Sequence, residues 1–161
     1  MKPRFWKLSQ GPGQFSYPEF LHSIDRKLAY IHKDSGAKGG SARTQADNFV
    51  DAPIGDYFYL TYGNEGIYLL SQFSGPVNLF SLYGEGWLDR PFRLIKISTN
   101  ITPYDGERKW WTPNENSTFV QVPENEISIF EKYILIPLGM CSGLPWPRSS
   151  RGSTTRGPTP A

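Results

Sequence analysis

The chain has 161 residues, of which 38% are hydrophobic and 15% aromatic, and its formal net charge is +2. This length suits one domain with a tail, and about 140 residues bury an ordinary core without disulfides or metals. The single cysteine, Cys141, excludes an internal disulfide, and no apolar run approaches the roughly 20 residues of a membrane span. Because the N-terminus has no stretch typical of a signal peptide, we expect a cytoplasmic protein.

Charge is unevenly distributed along the chain. Residues 1–46 contain eight basic and three acidic residues, whereas residues 47–140 contain six basic and twelve acidic ones. A basic N-terminal third favours contact with a phosphate backbone. The alternative is an ordinary solvated surface whose charge is uneven.

The N-terminal residues predict a strand, a helix and a second strand. Residues 4–9 alternate polar and apolar side chains, as a short strand does, and are followed by a Gly-Pro-Gly turn. A helix is expected over residues 17–26, because Ser16 and Glu19 have the capping-box spacing. Residues 27–32 are the second strand candidate.

Residues 33–41, KDSGAKGGS, form a glycine-rich basic loop without the Gly-Lys-Ser/Thr ending of a Walker A loop. Its backbone N–H groups, together with Lys33 and Lys38, are suited to holding phosphates. The alternative is a flexible connection. A short helix is expected over residues 42–49.

The centre of the predicted fold is a β-hairpin. Its two runs, residues 56–62 and 67–73, are rich in aromatic and branched side chains, and Gly63-Asn64-Glu65-Gly66 between them suits a tight turn. Long apolar runs without alternation indicate that both faces are covered. We therefore expect this hairpin to lie at the centre of a closed or strongly curved sheet.

The second half predicts further strands at residues 92–98 and 118–122, a helix from Pro123, and a last strand at 133–138. Of the pair Trp110 and Trp111, one ring is expected to pack and the other to be exposed. From residue 141 the chain is Pro, Gly, Ser, Thr and Arg with almost no core material. The expected organisation is a domain at 1–140 and a linker or disordered tail at 141–161.

Catalytic and metal-binding motifs are absent from the sequence. It contains two histidines, His22 and His32, and no H-E-x-x-H, C-x-x-C or G-x-S-x-G pattern. We therefore expect neither an enzyme nor a cofactor or metal. Several aromatic residues lie next to loops, where aromatic faces bind flat ligands such as bases by stacking. The alternative is that these rings are core.

The order of motifs resembles PUA-like domains of the EVE and YTH kind. Phe5-Trp6-Lys7-Leu8-Ser9-Gln10-Gly11 looks like their first strand, and also like the opening of N-terminal DNA-recognition domains of McrBC-type modification-dependent restriction systems. Residues 28–32, LAYIH, resemble the second strand, and Ile54-Gly55-Asp56 resembles the start of the central hairpin. The resemblance implies an α+β fold, a curved β-barrel of about five or six strands flanked by short helices.

The resemblance also implies a pocket that takes one flipped, usually modified, base. Carried over, the pocket residues are Ser9, Gln10, Tyr30, His32, Tyr62 and Trp87, and the phosphate-binding residues are Lys33, Lys38 and Arg43. Ser9 and Gln10 would hydrogen-bond the base edge, and Trp87 would stack on the base. Gln10 stands where the restriction-system pattern has proline, and His32 where it favours tryptophan.

The function predicted on this basis is non-catalytic binding of a modified base in double-stranded DNA, as the specificity module of a restriction system. An NTPase or nuclease subunit is then the expected protein partner, and no membrane is involved. Two alternatives stay open: an RNA-binding PUA-like domain, and a β-domain that binds a protein or small ligand and uses its aromatic residues only as core.

Overall fold

The computed structural model describes residues 2–39 and 41–140, which form six strands and three short α-helices. The strands are β1 (Phe5–Gln10), β2 (Leu28–His32), β3 (Tyr57–Tyr62), β4 (Glu65–Phe73), β5 (Trp87–Thr102) and β6 (Phe119–Gln121). The helices are α1 (Tyr17–Arg26), α2 (Gln45–Asp51) and α3 (Ile127–Phe130). A 3₁₀ turn, Glu124–Glu126, precedes α3, and a π-helical turn, Glu131–Leu135, follows it.

The six strands form one curled sheet in the order β2-β5-β4-β3-β1-β6. β1 runs parallel to β3, and every other neighbouring pair is antiparallel. The result is a half-barrel with β2 at one edge and β6 at the other. This confirms the predicted α+β class and the predicted number of strands.

Helix α1 begins where the sequence predicts. The Ser16 side chain accepts a hydrogen bond from the Glu19 backbone N–H, and the Glu19 carboxylate accepts one from the Ser16 N–H at 3.0 Å. This reciprocal capping box satisfies two N–H groups that have no partner inside the helix. Phe20 and Ser23 form the buried side of α1, which places the helix against the sheet.

The hairpin of β3 and β4 lies at the middle of the sheet, and the core covers both of its faces. On one face, Phe58 and Phe73 pack with residues from α1, α2 and the other strands. On the opposite face, Tyr59 packs with Trp111 and with Phe130 of the C-terminal helical segment. The long apolar runs of the hairpin therefore reflect burial on two sides.

Asp56 joins the start of the hairpin to β1. Its buried carboxylate accepts hydrogen bonds from the backbone N–H and the Nε of Arg4, at 3.0 and 3.2 Å, and from Trp6 Nε1 at 2.8 Å. Gly55 before it has φ of 104°, a conformation that residues with a side chain rarely adopt. The glycine allows the chain to turn into β3, and the hydrogen bonds of Asp56 fix the start of β3 beside β1.

Arg90 of β5 is buried within the core, with 1% of its surface exposed. Its guanidinium donates hydrogen bonds to the backbone carbonyls of Phe49, Ala52 and Gly75, at 2.6–3.1 Å. The same group lies 4.2 Å from the Phe73 ring centre. Arg90 thus satisfies three carbonyls that β-strands and helices leave unpaired at this end of the sheet.

In this part of the chain one prediction is wrong, and a predicted strand is confirmed as part of a longer one. The predicted last strand, residues 133–138, is helical over its first residues, because Ile134 lies one helical turn after Phe130 and both side chains are buried in the same cluster. Short apolar runs fit either periodicity. The predicted strand at 92–98 is part of the longer β5, whose first residues pair with β2. The predicted tail at 141–161 lies outside the described residues.

Candidate functional site

The candidate site lies where β1 approaches β2, two strands that are not neighbours in the sheet. The Gln10 side chain at the end of β1 donates a hydrogen bond from Nε2 to the Tyr30 carbonyl of β2 at 2.9 Å. This bond joins the two ends of the curled sheet on one side. The space beside the Gln10–Tyr30 hydrogen bond is the candidate ligand site, because no further strand among the described residues covers the backbone of β1 and β2 at this point.

A cavity of about 30 Å³, here called the glutamine cavity, occupies this space. Five of the six predicted pocket residues line it: Ser9, Gln10, Tyr30, His32 and Trp87. Its other lining residues are Gly11, Gln14, Phe15, Ile31, Ser35 and Thr118. Residues from the first strand, the second strand and the beginning of β5 therefore meet in space, although they are far apart in sequence.

Gln10 is the polar group with an unmet hydrogen bond at this cavity. Its side-chain N–H₂ faces two carbonyls, those of Ser9 and Tyr30, which fixes the orientation of the amide. Its Oε1 is buried and has no hydrogen-bond partner among the described residues. A buried acceptor without a partner costs about 1–3 kcal/mol, and a ligand N–H would remove that cost.

Aromatic rings form the wall opposite Gln10. Phe15 lies 4.6 Å from Tyr83 and 5.3 Å from Trp87, centre to centre, and Tyr83 lies 5.0 Å from Trp87. His32 packs edge-on against Trp87 at 5.2 Å, and Tyr30 contacts Phe15 at 5.5 Å. We call these five residues the aromatic cluster. Burial raises the pKa of the Tyr30 hydroxyl.

The glycines at 84 and 86 leave room for two of these rings. A Cβ at Gly86 would lie 2.7 Å from His32 Nε2, and one at Gly84 would lie 3.3 Å from Trp87. Gly86 also has φ of +82°. His32 is fixed from its other side, because its Nδ1 accepts a hydrogen bond from the Asp34 N–H at 3.1 Å.

The glutamine cavity has space for water and is too small for a base. Phe15, with 2% of its surface exposed, fills the space beside it. On the far side of Phe15 and Tyr30 lies a second cavity of about 190 Å³, which Glu19, His22 and Arg26 also line. Phe15 and Tyr30 therefore border both cavities.

Two tyrosine hydroxyls hold the segment that carries Phe15. Tyr62 donates a hydrogen bond to the Phe15 carbonyl at 2.6 Å, and Tyr83 donates one to the Gln14 carbonyl at 2.5 Å. Tyr62, predicted as a pocket wall, does not line the glutamine cavity: its ring packs on Phe20 at 4.7 Å. It positions the backbone next to the cavity instead.

The three predicted phosphate-binding residues lie in different surroundings. Lys33 is exposed and pairs with Asp34, and Arg43 is exposed and pairs with Asp51. Lys38 is half-buried and lines a third, larger cavity on the other side of the 33–41 loop. The structure therefore does not bring the three side chains to one point.

Phe15 and Tyr83 are contributors that the sequence analysis did not select. Each stands beside a glycine-containing turn, Gly11-Pro12-Gly13 and Gly84-Glu85-Gly86, which is the only local signal for them. The segment before Tyr83 forms no strand and exposes three apolar side chains, those of Leu79, Phe80 and Leu82.

Within residues 2–39 and 41–140, no cluster of three or more His, Cys, Asp or Glu side chains is arranged to hold a metal ion. In the same part of the chain no helix has the length and apolar character needed to cross a membrane.

The fold is a curled half-barrel of the YTH/PUA-like kind. No family model matches the chain, and no curated protein matches its sequence. The chain is similar to the CPSF4-YTH domain from Toxoplasma in its apo form, with 11% identity, a TM-score of 0.52, and coverage of 83% of this chain and 86% of that one. It is also similar to a hypothetical protein from Leishmania major, with 12% identity, a TM-score of 0.50, and coverage of 81% and 94%.

At these identities the likeness shows the fold alone. The predicted YTH/PUA-like half-barrel is confirmed. The resemblance to McrBC-type recognition domains stays a prediction, as do the base-binding and phosphate-binding roles of the named residues.

Proposed function

We propose that this protein is a non-catalytic nucleic-acid-binding domain that holds one modified base in the space between Gln10 and Trp87. The observation that carries the proposal is the unpaired Oε1 of Gln10 in a cavity whose other wall is aromatic. An acceptor at the edge and rings at the face complement a flat heterocycle that carries an N–H donor.

Each side chain has a role in this proposal. Gln10 Oε1 accepts a hydrogen bond from an exocyclic amino group of the base, while its Nε2 stays bonded to the Tyr30 carbonyl. Trp87 stacks on the base, and His32 supports Trp87 through its edge-on contact. Ser9 Oγ donates to the Gly63 carbonyl at 3.0 Å, so it has a lone pair left for a second donor on the ligand.

The space for a base comes from a movement of Phe15. Its side chain borders both the glutamine cavity and the 190 Å³ cavity. Its segment lies outside the helices and strands, and is held by a turn hydrogen bond to the Gly11 carbonyl and by hydrogen bonds from Tyr62 and Tyr83. Side-chain rearrangement at a binding surface is common when partners meet. The unbound site is thus closed, and the base replaces Phe15 against Trp87.

Modified double-stranded DNA is the ligand that we propose first, and the module of a modification-dependent restriction system is the setting that the resemblance suggests. Flipping a base out of a duplex costs a few kcal/mol of unstacking, which stacking and hydrogen bonds in the pocket offset. The YTH-like fold is equally compatible with single-stranded RNA as the ligand of the pocket. The test therefore includes both DNA and RNA. Lys33 and Arg43 are exposed, and in this proposal they exchange their ion pairs with Asp34 and Asp51 for contacts with flanking phosphates.

The test is a fluorescence-polarisation panel of oligonucleotides that are identical except at one base. The DNA duplexes carry cytosine, 5-methylcytosine, 5-hydroxymethylcytosine, adenine or N6-methyladenine, and matched single-stranded RNAs carry the adenine pair. We expect one modified base to bind at least tenfold more tightly than its unmodified form. Trp87→Ala should remove that preference, because base–aromatic stacking contributes about 1–3 kcal/mol.

Tyr133→Ala is the matched control, since Tyr133 is also half-buried and meets one other ring edge-on, Tyr104, at 5.6 Å, away from the glutamine cavity. Equal binding of every modified and unmodified pair by the wild-type protein would contradict the proposal. Binding that persists unchanged in Trp87→Ala would contradict the assignment of the pocket.

A further inference from the structure

A cavity larger than the two beside Phe15 is separate from the aromatic cluster. It has a volume of about 520 Å³, and we call it the tryptophan cavity after Trp110 on its wall. Its polar and charged lining residues are Lys38, Ser41, Gln45, Asn48, Arg108, Lys109, Glu115, Gln121 and Glu126. Pockets that bind small organic ligands have volumes of about 300–1,000 Å³, so this one has room for a whole nucleotide.

Trp110 is held in place by its backbone while its ring stays accessible. Its carbonyl accepts a hydrogen bond from Ser117 Oγ at 2.6 Å, and Ser117 Oγ in turn accepts one from the buried Lys7 Nζ. The indole nevertheless has 48% of its surface exposed, whereas the neighbouring Trp111 has 1% exposed. A fixed and exposed aromatic ring is the platform on which a base stacks.

Lys38 supplies a cation without a partner. Arg108 is paired with Glu115, and Lys109 is paired with Glu126. Lys38 has no ion pair or hydrogen bond within residues 2–39 and 41–140, although it is half-buried. Next to it, the backbone of Gly39 lies against Trp110, where an added Cβ would be 3.3 Å from the ring. Lys38 and Trp110 thus line the same cavity, and the residue next to Lys38 contacts the ring.

Neutral hydrogen-bonding groups complete the lining. The side chains of Asn48 and Gln121 are half-buried, lie on the cavity wall and make no hydrogen bond within the described residues. Gln45, in contrast, is fully used: its Oε1 accepts hydrogen bonds from the Thr118 and Phe119 N–H groups at 2.7 and 2.9 Å. Unpaired amides offer both donors and acceptors, as the edge of a base requires.

The tryptophan cavity and the glutamine cavity are lined by neighbouring residues of the same two segments. Ser35 lines the glutamine cavity and Lys38 the tryptophan cavity, and the consecutive residues Thr118 and Phe119 are divided in the same way. Consecutive Cα atoms are 3.8 Å apart, so one nucleic-acid strand is long enough to contact both.

We propose that the tryptophan cavity is a second nucleotide site, in which a base stacks on Trp110 and its phosphate lies beside Lys38. The proposal rests on the proposed function in so far as the ligand is nucleic acid. It adds a site that holds an unmodified neighbour of the base that is read, and so contributes affinity without selecting the modification.

The test uses a fluorescently labelled, unmodified single-stranded oligonucleotide of about eight nucleotides at low salt, with binding followed by anisotropy. We expect Trp110→Ala to weaken binding by about fivefold to a hundredfold, which is the range for loss of one base–aromatic stack. Trp110→Phe, which keeps a stacking face, should retain most of the affinity.

Lys38→Ala should weaken binding and reduce the slope of log affinity against log salt by about one, as removal of a phosphate contact does. Lys96→Ala is its matched control, because Lys96 is exposed on β5 outside the tryptophan cavity. Thermal melting of each variant shows whether it is folded before its affinity is interpreted.

Two results would overturn the second site: wild-type affinity in Trp110→Ala, or no binding of the unmodified oligonucleotide by the wild-type protein at low salt. The proposed function fails on a different measurement. It fails if the wild-type protein shows no preference for a modified base, or if that preference does not depend on Trp87. A preference that persists in Trp110→Ala, together with unchanged binding of the unmodified strand, removes only the second site.

Discussion

Arg90 and Gln10 are both buried polar side chains that donate hydrogen bonds to backbone carbonyls of other segments, yet they differ in how completely they are satisfied. Arg90 donates to three backbone carbonyls and contacts Phe73, and no cavity described above borders it. Gln10 uses its N–H₂ fully and leaves Oε1 without a partner beside a cavity. Arg90 is thus a polar group that stabilises the fold, whereas Gln10 has an acceptor that is available to a ligand.

Ser71 shows that an unmet hydrogen bond is not enough by itself. Its Oγ is buried on β4 and also has no partner within the described residues. It borders none of the three cavities described above. An unpaired atom therefore points to a ligand only where there is also space and a surface of matching chemistry, as there is at Gln10.

The largest effect on stability is expected at Arg90. Arg90→Met keeps the length of the side chain but leaves the carbonyls of Phe49, Ala52 and Gly75 without donors. We expect the free energy of unfolding, measured by urea denaturation, to fall by about 3 kcal/mol. Among molecules that remain folded, the preference for a modified base should be unchanged. A loss below about 1 kcal/mol would contradict the scaffold role of Arg90.

Lys7 adds a third buried polar group, and its effect depends on pH. Burial lowers the pKa of its ammonium group to about 7, and its Nζ donates to the Glu115 carbonyl at 2.6 Å. Because the folded state binds this proton less tightly than the unfolded state, stability should rise as pH increases above about 7 and stop rising near the pKa of the unfolded lysine.

The slope is expected to be about 1 kcal/mol per pH unit between pH 7 and 9, below the range in which tyrosines ionise. Lys7→Met lacks the titrating group and should lack the slope. Urea denaturation of both proteins across this range measures it. Parallel curves for the two proteins would show that Lys7 is not the cause.

Much of the scaffold follows from local sequence. The capping box of Ser16 and Glu19, the aromatic hairpin, and the division of Trp110 and Trp111 into an exposed and a buried ring are all present as predicted. In each case the residues that determine the structure are neighbours in the chain. Residues 133–138 were predicted wrongly because a short apolar run fits a helix as well as a strand.

The candidate site was predictable only in part. Resemblance selected Gln10 and Trp87, which do line one cavity, but not Phe15, which also lines it, or Tyr83, which packs on Phe15. The Tyr83 hydroxyl bonds a carbonyl 69 residues away in the chain, and no spacing rule predicts such a pair. The tryptophan cavity likewise depends on the 33–41 loop meeting residues 108–126, which is a property of the folded sheet.

The unpaired acceptor of Gln10 is the centre of this account, and a pair of bases tests it directly. For the base that the panel selects, two otherwise identical oligonucleotides carry a form with one exocyclic N–H or a form with none: N6-methyladenine against N6,N6-dimethyladenine for adenine, and the N4-methyl against the N4,N4-dimethyl form for cytosine. The affinity ratio of the two is measured by fluorescence polarisation for the wild-type protein, for Gln10→Met and for Ser71→Ala, which removes the other unpaired oxygen.

We predict that the wild-type protein prefers the base with the N–H about tenfold, since a buried acceptor left unpaired costs about 1–3 kcal/mol. Ser71→Ala should keep this preference, and Gln10→Met should lose it while remaining folded. Equal affinities for the two bases in the wild-type protein, or a preference that survives in Gln10→Met, would contradict the account.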